Sequence, residues 1–409
     1  MKTKEYADSS NEKMLFLYNK LTGMAPYTHE FVPGHIDSQM LSGFISAMSS
    51  FMEEMTGTEQ LQWKTVYGRD TSLLVEVSDW MVGVLAVVWE TQEYRSKLRR
   101  IVREYEETFQ SLKDADCIEG GVFSEFDKYV ERLFVEDRLT EGTIILKGSD
   151  CLEVYDTKMD KKQDKDLRSF LAEVSDGQTI RELADETGSS LPILREKLSK
   201  AFWQNLLYLH YMPTDEDILV MSSGSSSVLF SGKNPLGLSQ LALRVVGALD
   251  GRKRLAQFLT EVSETKKEGI LIELGNLCNL GILSNISVEQ KFVLLNECVV
   301  TRLYRELSVE LGENAAHEMF DGAKESVIKR NSWAARITLE YKERVSIDFE
   351  RTVTPRDLDR IAEALELYSV EIMELHAKTV GTAQAKKILK GCSDACNSEW
   401  KASIEDILL

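Results

Sequence analysis

Apolar positions recur along the chain in two rhythms, and the switches between them lay out the fold. Residues 14–18, MLFLY, are apolar throughout. After the polar turn NKLTG, residues 25–32 mix aromatic and β-branched side chains and end at Pro33-Gly34. This predicts a β-hairpin. Residues 37–57, DSQMLSGFISAMSSFMEEMTG, adopt a helical period instead. Met40, Phe44, Met48, Phe51 and Met55 form a stripe, Leu41, Ile45 and Met52 widen it, and Asp37 is the N-cap. Laying these eight side chains on a sheet stabilises by roughly 1.5–3 kcal/mol each before entropy is counted. Ser42, Gly43, Ser46, Ala47, Ser49 and Ser50 fill the remaining positions.

Strands follow at residues 61–67, 73–77 and 81–89, the last apolar on both faces and so expected at the centre of a sheet. From Thr91 the helical period returns, with Leu98, Ile101, Val102, Tyr105, Phe109 and Leu112 on one face. Phe123, Phe126, Val130, Leu133 and Phe134 mark a further helix. The order β-β-α-β-β-β-α-α over residues 14–138 resembles the longin-like domains, including those of archaeal-type proteins with helical modules downstream. These are relatives of the roadblock domains that accompany small Ras-type GTPases. The resemblance implies an α+β fold, a five-stranded antiparallel sheet with helices, that dimerises or binds a GTPase. It rests on element order and covers about a third of the chain; any other α+β domain with such a sheet has the same pattern.

Downstream the chain repeats itself. Residues 171–209 and 246–283 share a layout offset by 74 to 76 positions: Asp-Gly turn, helix, turn, longer helix, and a closing Asn-Leu run. Each copy resembles a winged-helix module. A second duplication, offset by about 69 residues, relates residues 303–322 to 372–391 and predicts a four-helix bundle of two hairpins. The domain plan is therefore residues 1–140 longin-like, 141–164 linker, 165–221 and 238–287 winged-helix-like units joined by a Ser/Gly linker at 222–237, and 288–409 helical bundle. Residues 143–147, TIILK, are a candidate extra strand, and residues 337–349 alternate as a strand pair or form helix.

The totals narrow the function classes. The 409 residues carry a net charge of −18, which repels phosphate backbones at long range. Six irregularly spaced cysteines suit reduced thiols in a cytoplasmic protein, and the opening MKTKEYADSSNEK lacks a signal-peptide apolar core. No apolar run reaches the ~20 residues of a membrane span. Both repeat units are close to neutral; the third helix of the second offers no Arg, Lys or Gln beyond its start, whereas that of the first carries Arg195, Lys197 and Lys200 with Gln204, and these define a DNA-binding alternative. His317 and His376 define a third reading, a phospho-relay component, although both suit a surface or partly buried histidine. Cys392 and Cys396 make half a metal site, to which Cys278 and Cys298 contribute only if the fold brings them in; buried free thiols are the expectation. The Gly/Ser segment lacks the spacing of a phosphate-binding loop, and the hydrolase, dinucleotide and zinc-protease signatures are missing. The expectation is a non-enzymatic adaptor without cofactor or metal. Its candidate interaction residues are Ser42, Ser46, Ser49, Leu61, Trp63 and Tyr67, on the 37–57 helix and its neighbouring strand edge.

Overall fold

The computed structural model describes residues 11–32, 38–56, 62–67, 71–113, 123–148, 151–158, 165–222, 225–230, 234, 236–260, 262–340, 344–347 and 355–404. The Asp37 cap, the turns at 33–34 and 68–70, and Leu61 lie outside the described residues. The chain divides into two units, Met1–Asn285 and Ile286–Leu409.

The first unit opens with strands β1 (Glu12–Asn19), β2 (Tyr27–Glu30), β3 (Gln62–Tyr67), β4 (Thr71–Val77) and β5 (Met81–Val87). They form one antiparallel sheet in the order β2-β1-β5-β4-β3. Helices α1 (Ser38–Thr56), α2 (Gln92–Thr108) and α3 (Ser124–Phe134) cover it. Successive strand side chains alternate between faces. Met14, Phe16 and Tyr18 therefore join Leu73, Val75 and Val84 beneath Leu41 and Ile45 of α1. Leu15 and Leu17 join Leu74 and Leu85 beneath Leu98, Ile101 and Val102 of α2 and Val130 of α3. Helices on both faces explain why MLFLY has no polar position. As expected of the strand apolar on both sides, β5 is buried at all seven residues.

α1 departs from its expected phase. Leu41 and Ile45 are buried and Met48 packs beside them, whereas Phe44 is 48% exposed. Within the expected stripe the buried side is thus centred on Leu41 and Ile45, and Phe44 faces outward. A helix apolar on most sides does not encode which side faces inward; the sheet selects it. The buried Glu106 carboxylate on α2 accepts from the Trp80 and Met81 amides (2.8 and 2.9 Å) and from Ser78 Oγ (2.6 Å), pinning the β4–β5 turn.

The rest of the first unit is a tandem repeat. Its first copy runs β6 (Ile144–Leu146), α4 (Cys151–Lys158), α5 (Lys165–Glu173), α6 (Ile180–Thr187), α7 (Leu191–Trp203) and β7 (Tyr208–His210). The second runs β8 (Leu219–Met221), α8 (Ser226–Leu229), α9 (Gln240–Ala248), α10 (Leu255–Leu259), α11 (Glu264–Asn279) and β9 (Leu283–Asn285). Ile144 and Leu219, Lys165 and Gln240, Ile180 and Leu255, and Tyr208 and Leu283 stand 75 positions apart. In each copy the first strand pairs with the last, β6 with β7 and β8 with β9. Backbone bonds match too: Ile180 N donates to Thr143 O and Arg181 N to Glu141 O, as Leu255 N donates to Asp217 O and Ala256 N to Asp215 O. Segments expected as linkers, 141–164 and 222–237, therefore contain β6 with α4, and α8. β6 falls on the candidate strand at 143–147, whereas short elements beside charged or Ser-rich runs, such as β8 and α8, carry too little periodicity to stand out in sequence.

The second unit packs helices α12 (Val288–Leu311), α13 (Glu313–Ile328), α14 (Pro355–Val380) and α15 (Thr382–Ile404) with the hairpin β10 (Ile337–Glu340) and β11 (Arg344–Ile347). Residues 337–349 thus contain a strand pair. Phe320 is the centre, its ring 5.1 Å from Tyr304 and 5.7 Å from Tyr368, whose hydroxyl donates to Phe320 O. Both helical hairpins turn at a glycine in the left-handed region, Gly312 (φ 86°) and Gly381 (φ 89°). These are equivalent positions of the 69-residue duplication. A side chain there would be strained, so glycine ends one helix and starts the next.

Candidate functional site

The expected interaction residues separate into inward and outward groups. Ser42 is buried and its hydroxyl donates to Gly23 O (3.1 Å), so it seats α1 on the β1–β2 loop. Trp63 is buried in the core beneath α1. These two are unavailable to a partner, because the phase of α1 and the alternation of β3 turn them inward. Ser46 is half-buried; the side chains of Ser49 and Tyr67 lie outside the described residues. Among the described side chains of α1, Gly43, Phe44, Ala47, Ser50 and Glu54 face outward. β3 is the outer strand of the sheet, with Val66 65% exposed and Lys64 paired to Glu90 at 2.6 Å. Among the described residues β3 pairs only with β4, and a strand edge of this kind presents backbone donors and acceptors to any strand that approaches. Phe44 and Val66 are the residues that sequence reasoning missed as exposed apolar anchors.

The cations of α7 already face acids within the unit. α7 packs on α3 and on the turn after it. Glu131 of α3 interacts with Ser199 and Lys200, and Glu136 with Arg195. Lys197 lies 3.5 Å from Asp166 and 5.5 Å from the centre of the Phe170 ring. Gln204 is half-buried at the C-cap of α7, where its backbone amide donates to Lys200 O. Lys200 and Ile193 keep an exposed side on this helix.

A polar joint beneath the sheet was not legible in sequence. Glu12 Oε1 accepts from Tyr94 OH (2.5 Å) and from Arg138 (2.8 Å), and the Arg138 guanidinium lies 5.5 Å from the Tyr211 ring centre. Tyr211 donates to Asp217 Oδ2 (2.6 Å), and Asn285 donates to both Tyr211 OH and Asp217 Oδ1. Strand β1, the turn after α3 and both ends of the second repeat thereby share one network. Burial pushes the Glu12 carboxyl up, but Arg138, Tyr94 and Lys97 together hold it below the usual carboxylate range. Burial, with Glu12, pushes Tyr94 up; burial, with Asp217, does the same to Tyr211. A cleft of about 100 Å³ opens beside the joint, lined by Phe31, Phe134, Arg138, Phe202, His210 and Asn279 among others. Arg138 matches the Glu12 charge and neutral donors surround Asp217, so the joint ties β1, the turn after α3 and the second repeat together.

His29 marks a second contact between sheet and repeat. Its ring stacks on Trp203 at 3.4 Å and 9°, with Phe31 edge-on to the same indole. Burial lowers its pKa from 6.5 to about 3. The unfolded chain takes up this proton first, so the stability His29 contributes is complete above pH 6.5 and is lost as pH falls toward about 3. The slope is at most about 1.4 kcal/mol per pH unit. Urea midpoints followed by tryptophan fluorescence at about pH 7 and about pH 5 are expected to differ less in His29→Phe than in the natural chain.

In the second unit His317 is half-buried, 3.4 Å from Asp321 one turn on. His376 is fully buried, 3.4 Å from Glu310, which corrects the expectation of a surface or partly buried side chain. It falls on the inward face of α14, a placement set by packing. The fold brings Cys298 to Cys396, with Sγ atoms 2.7 Å apart, while Cys278 is buried in the first unit. Among the described residues no three His, Cys, Asp or Glu side chains are grouped to hold a metal ion, and no helix is long and apolar enough to cross a membrane.

No protein-family model matches the chain. No curated protein matches it either.

Proposed function

We propose that this protein is a non-enzymatic adaptor or regulatory scaffold whose N-terminal α+β domain docks a macromolecular partner. The observation that carries the reading is the β3 edge, which has no second neighbour among the described residues, and the outward side of α1, where Phe44 stands among Gly43, Ala47 and Ser50. Small residues let a second backbone approach closely, and an exposed aromatic is the usual anchor of an interface. The sheet order and the helices on both faces support the likeness to longin-like domains, which implies a second copy or a small Ras-type GTPase as the partner. The paired terminal strands of the two repeats support their likeness to winged-helix modules. Their engaged cations favour a protein-binding role over duplex binding. The cytoplasm suits such an adaptor.

The full-length chain with Phe44→Glu and Val66→Lys tests this. Self-association by sedimentation, or capture of nucleotide-loaded Ras-type GTPases, is expected to weaken at least about tenfold, the loss of one anchor residue. An unchanged affinity would overturn the docking surface. Salt-sensitive duplex binding that Arg195→Glu with Lys200→Glu abolishes would replace it with the transcription-regulator reading.

A further inference from the structure

We infer that Cys298 and Cys396 form a peroxide-reactive thiol pair that closes into a disulfide between α12 and α15. Three observations in the second unit carry this. The two sulfurs are 2.7 Å apart and so already within reach of a bond. They differ in access, Cys298 being half-buried on α12 and Cys396 fully buried on α15. A charged pair sits beside them: Arg302, one turn after Cys298, reaches Glu399, less than one turn after Cys396, at 2.6 Å. The α12–α15 seam thus carries a sulfur pair and an ion pair in adjacent layers, an arrangement that holds the thiols in register.

The chemistry assigns the two sulfurs different roles. The Cys396 thiol hydrogen-bonds to Cys298 and, with the Arg302 guanidinium, outweighs burial to bring Cys298 down to about 7. The same contact and burial push Cys396 up. Cys298 is therefore the thiolate that attacks and Cys396 the thiol that resolves. In the first step the Cys298 thiolate attacks one oxygen of hydrogen peroxide. The O–O bond breaks, a sulfenic acid forms, and the departing hydroxide takes a proton to become water. In the second, the Cys396 sulfur attacks Cys298 sulfur while its proton joins the leaving hydroxyl. The S–O bond breaks, the S–S bond forms, and a second water leaves. The two thiols give up two electrons and the peroxide accepts them; a dithiol reductant reverses the process.

Cys392, buried one turn before Cys396 and facing Glu306, Arg302 and Cys298, is the competing resolving thiol. The full-length protein is treated with hydrogen peroxide, alkylated, digested and mapped by mass spectrometry. The expected product is a Cys298–Cys396 cross-linked peptide pair, about 2 Da lighter than its reduced components and cleaved by dithiothreitol. In Cys396→Ser, Cys298 is expected to stop at the sulfenic acid and take up a dimedone label. Arg302→Gln is expected to slow oxidation severalfold near neutral pH. Should Cys396→Ser fail to fold, the map of the natural chain decides alone. Finding both thiols still alkylated after peroxide, or Cys298 linked to Cys392, would overturn the assignment.

Discussion

Arg138→Ala is expected to destabilise the first unit by about 3 kcal/mol, because it strands the Glu12 carboxylate without its counter-charge. The Arg138 and Glu12 side chains are 23% and 12% exposed, which places the loss at the low end for a buried pair. Arg138 also covers the Tyr211 ring, so the joint to the second repeat loosens with it. Glu12→Gln in the same background is expected to recover part of the loss, since a neutral amide is cheaper to bury unpaired. Urea titrations followed by the fluorescence of Trp80, Trp89 and Trp203 read the effect in the first unit. A double variant no more stable than Arg138→Ala would mean that packing on Tyr211, not charge, sets the cost. Glu12 also adds an acid limb. Its folded pKa is lowered, so its contribution is present above the ordinary carboxylate range and is lost as pH falls below it.

Gly83→Ala is expected to cost about 3 kcal/mol, at the upper end for overpacking a core. Gly83 lies on β5 opposite Leu17, where α2 crosses the sheet. A Cβ there would press on Val102 Cγ2 and come within 2.9 Å of Leu98 Cδ1 and 3.3 Å of Leu17 Cδ2. All three neighbours are buried at 1% exposure or less and have nowhere to move. Val102→Ala removes the atom in the way. The double variant is therefore expected to lose at least ~1 kcal/mol less than the sum of the single changes. Strict additivity would show that α2 can shift and that its approach to β5 is not fixed by Gly83.

Periodicity carried the element plan far. The MLFLY hairpin, the central place of β5, the two tandem duplications and the glycine turns at Gly312 and Gly381 all leave local marks: apolar runs, repeated layouts, residues with special backbone freedom. The misreadings share a cause. Phe44 is outward because α1 is apolar on so many sides that its sequence fits several rotations, and only the sheet beneath chooses one. β6 falls on the TIILK candidate strand, whereas β8 goes unread because it is three residues long and is defined by a partner more than 60 positions away. Arg195 and Lys200 look available on a helical wheel, yet the acids opposite them come from α3 and the turn that follows.

What the sequence determined by itself is the set of pieces: an antiparallel sheet faced by helices, two copies of a small repeat, and two helical hairpins. Local periodicity and turn chemistry act within about ten residues, and that range is enough to specify elements. Tertiary structure alone decided the meetings. Glu12 joins Arg138 across 126 positions, His29 meets Trp203, and Cys298 finds Cys396 across 98. Such contacts depend on which faces pack together, and that is settled by burying the whole apolar surface at once rather than by any segment's own pattern.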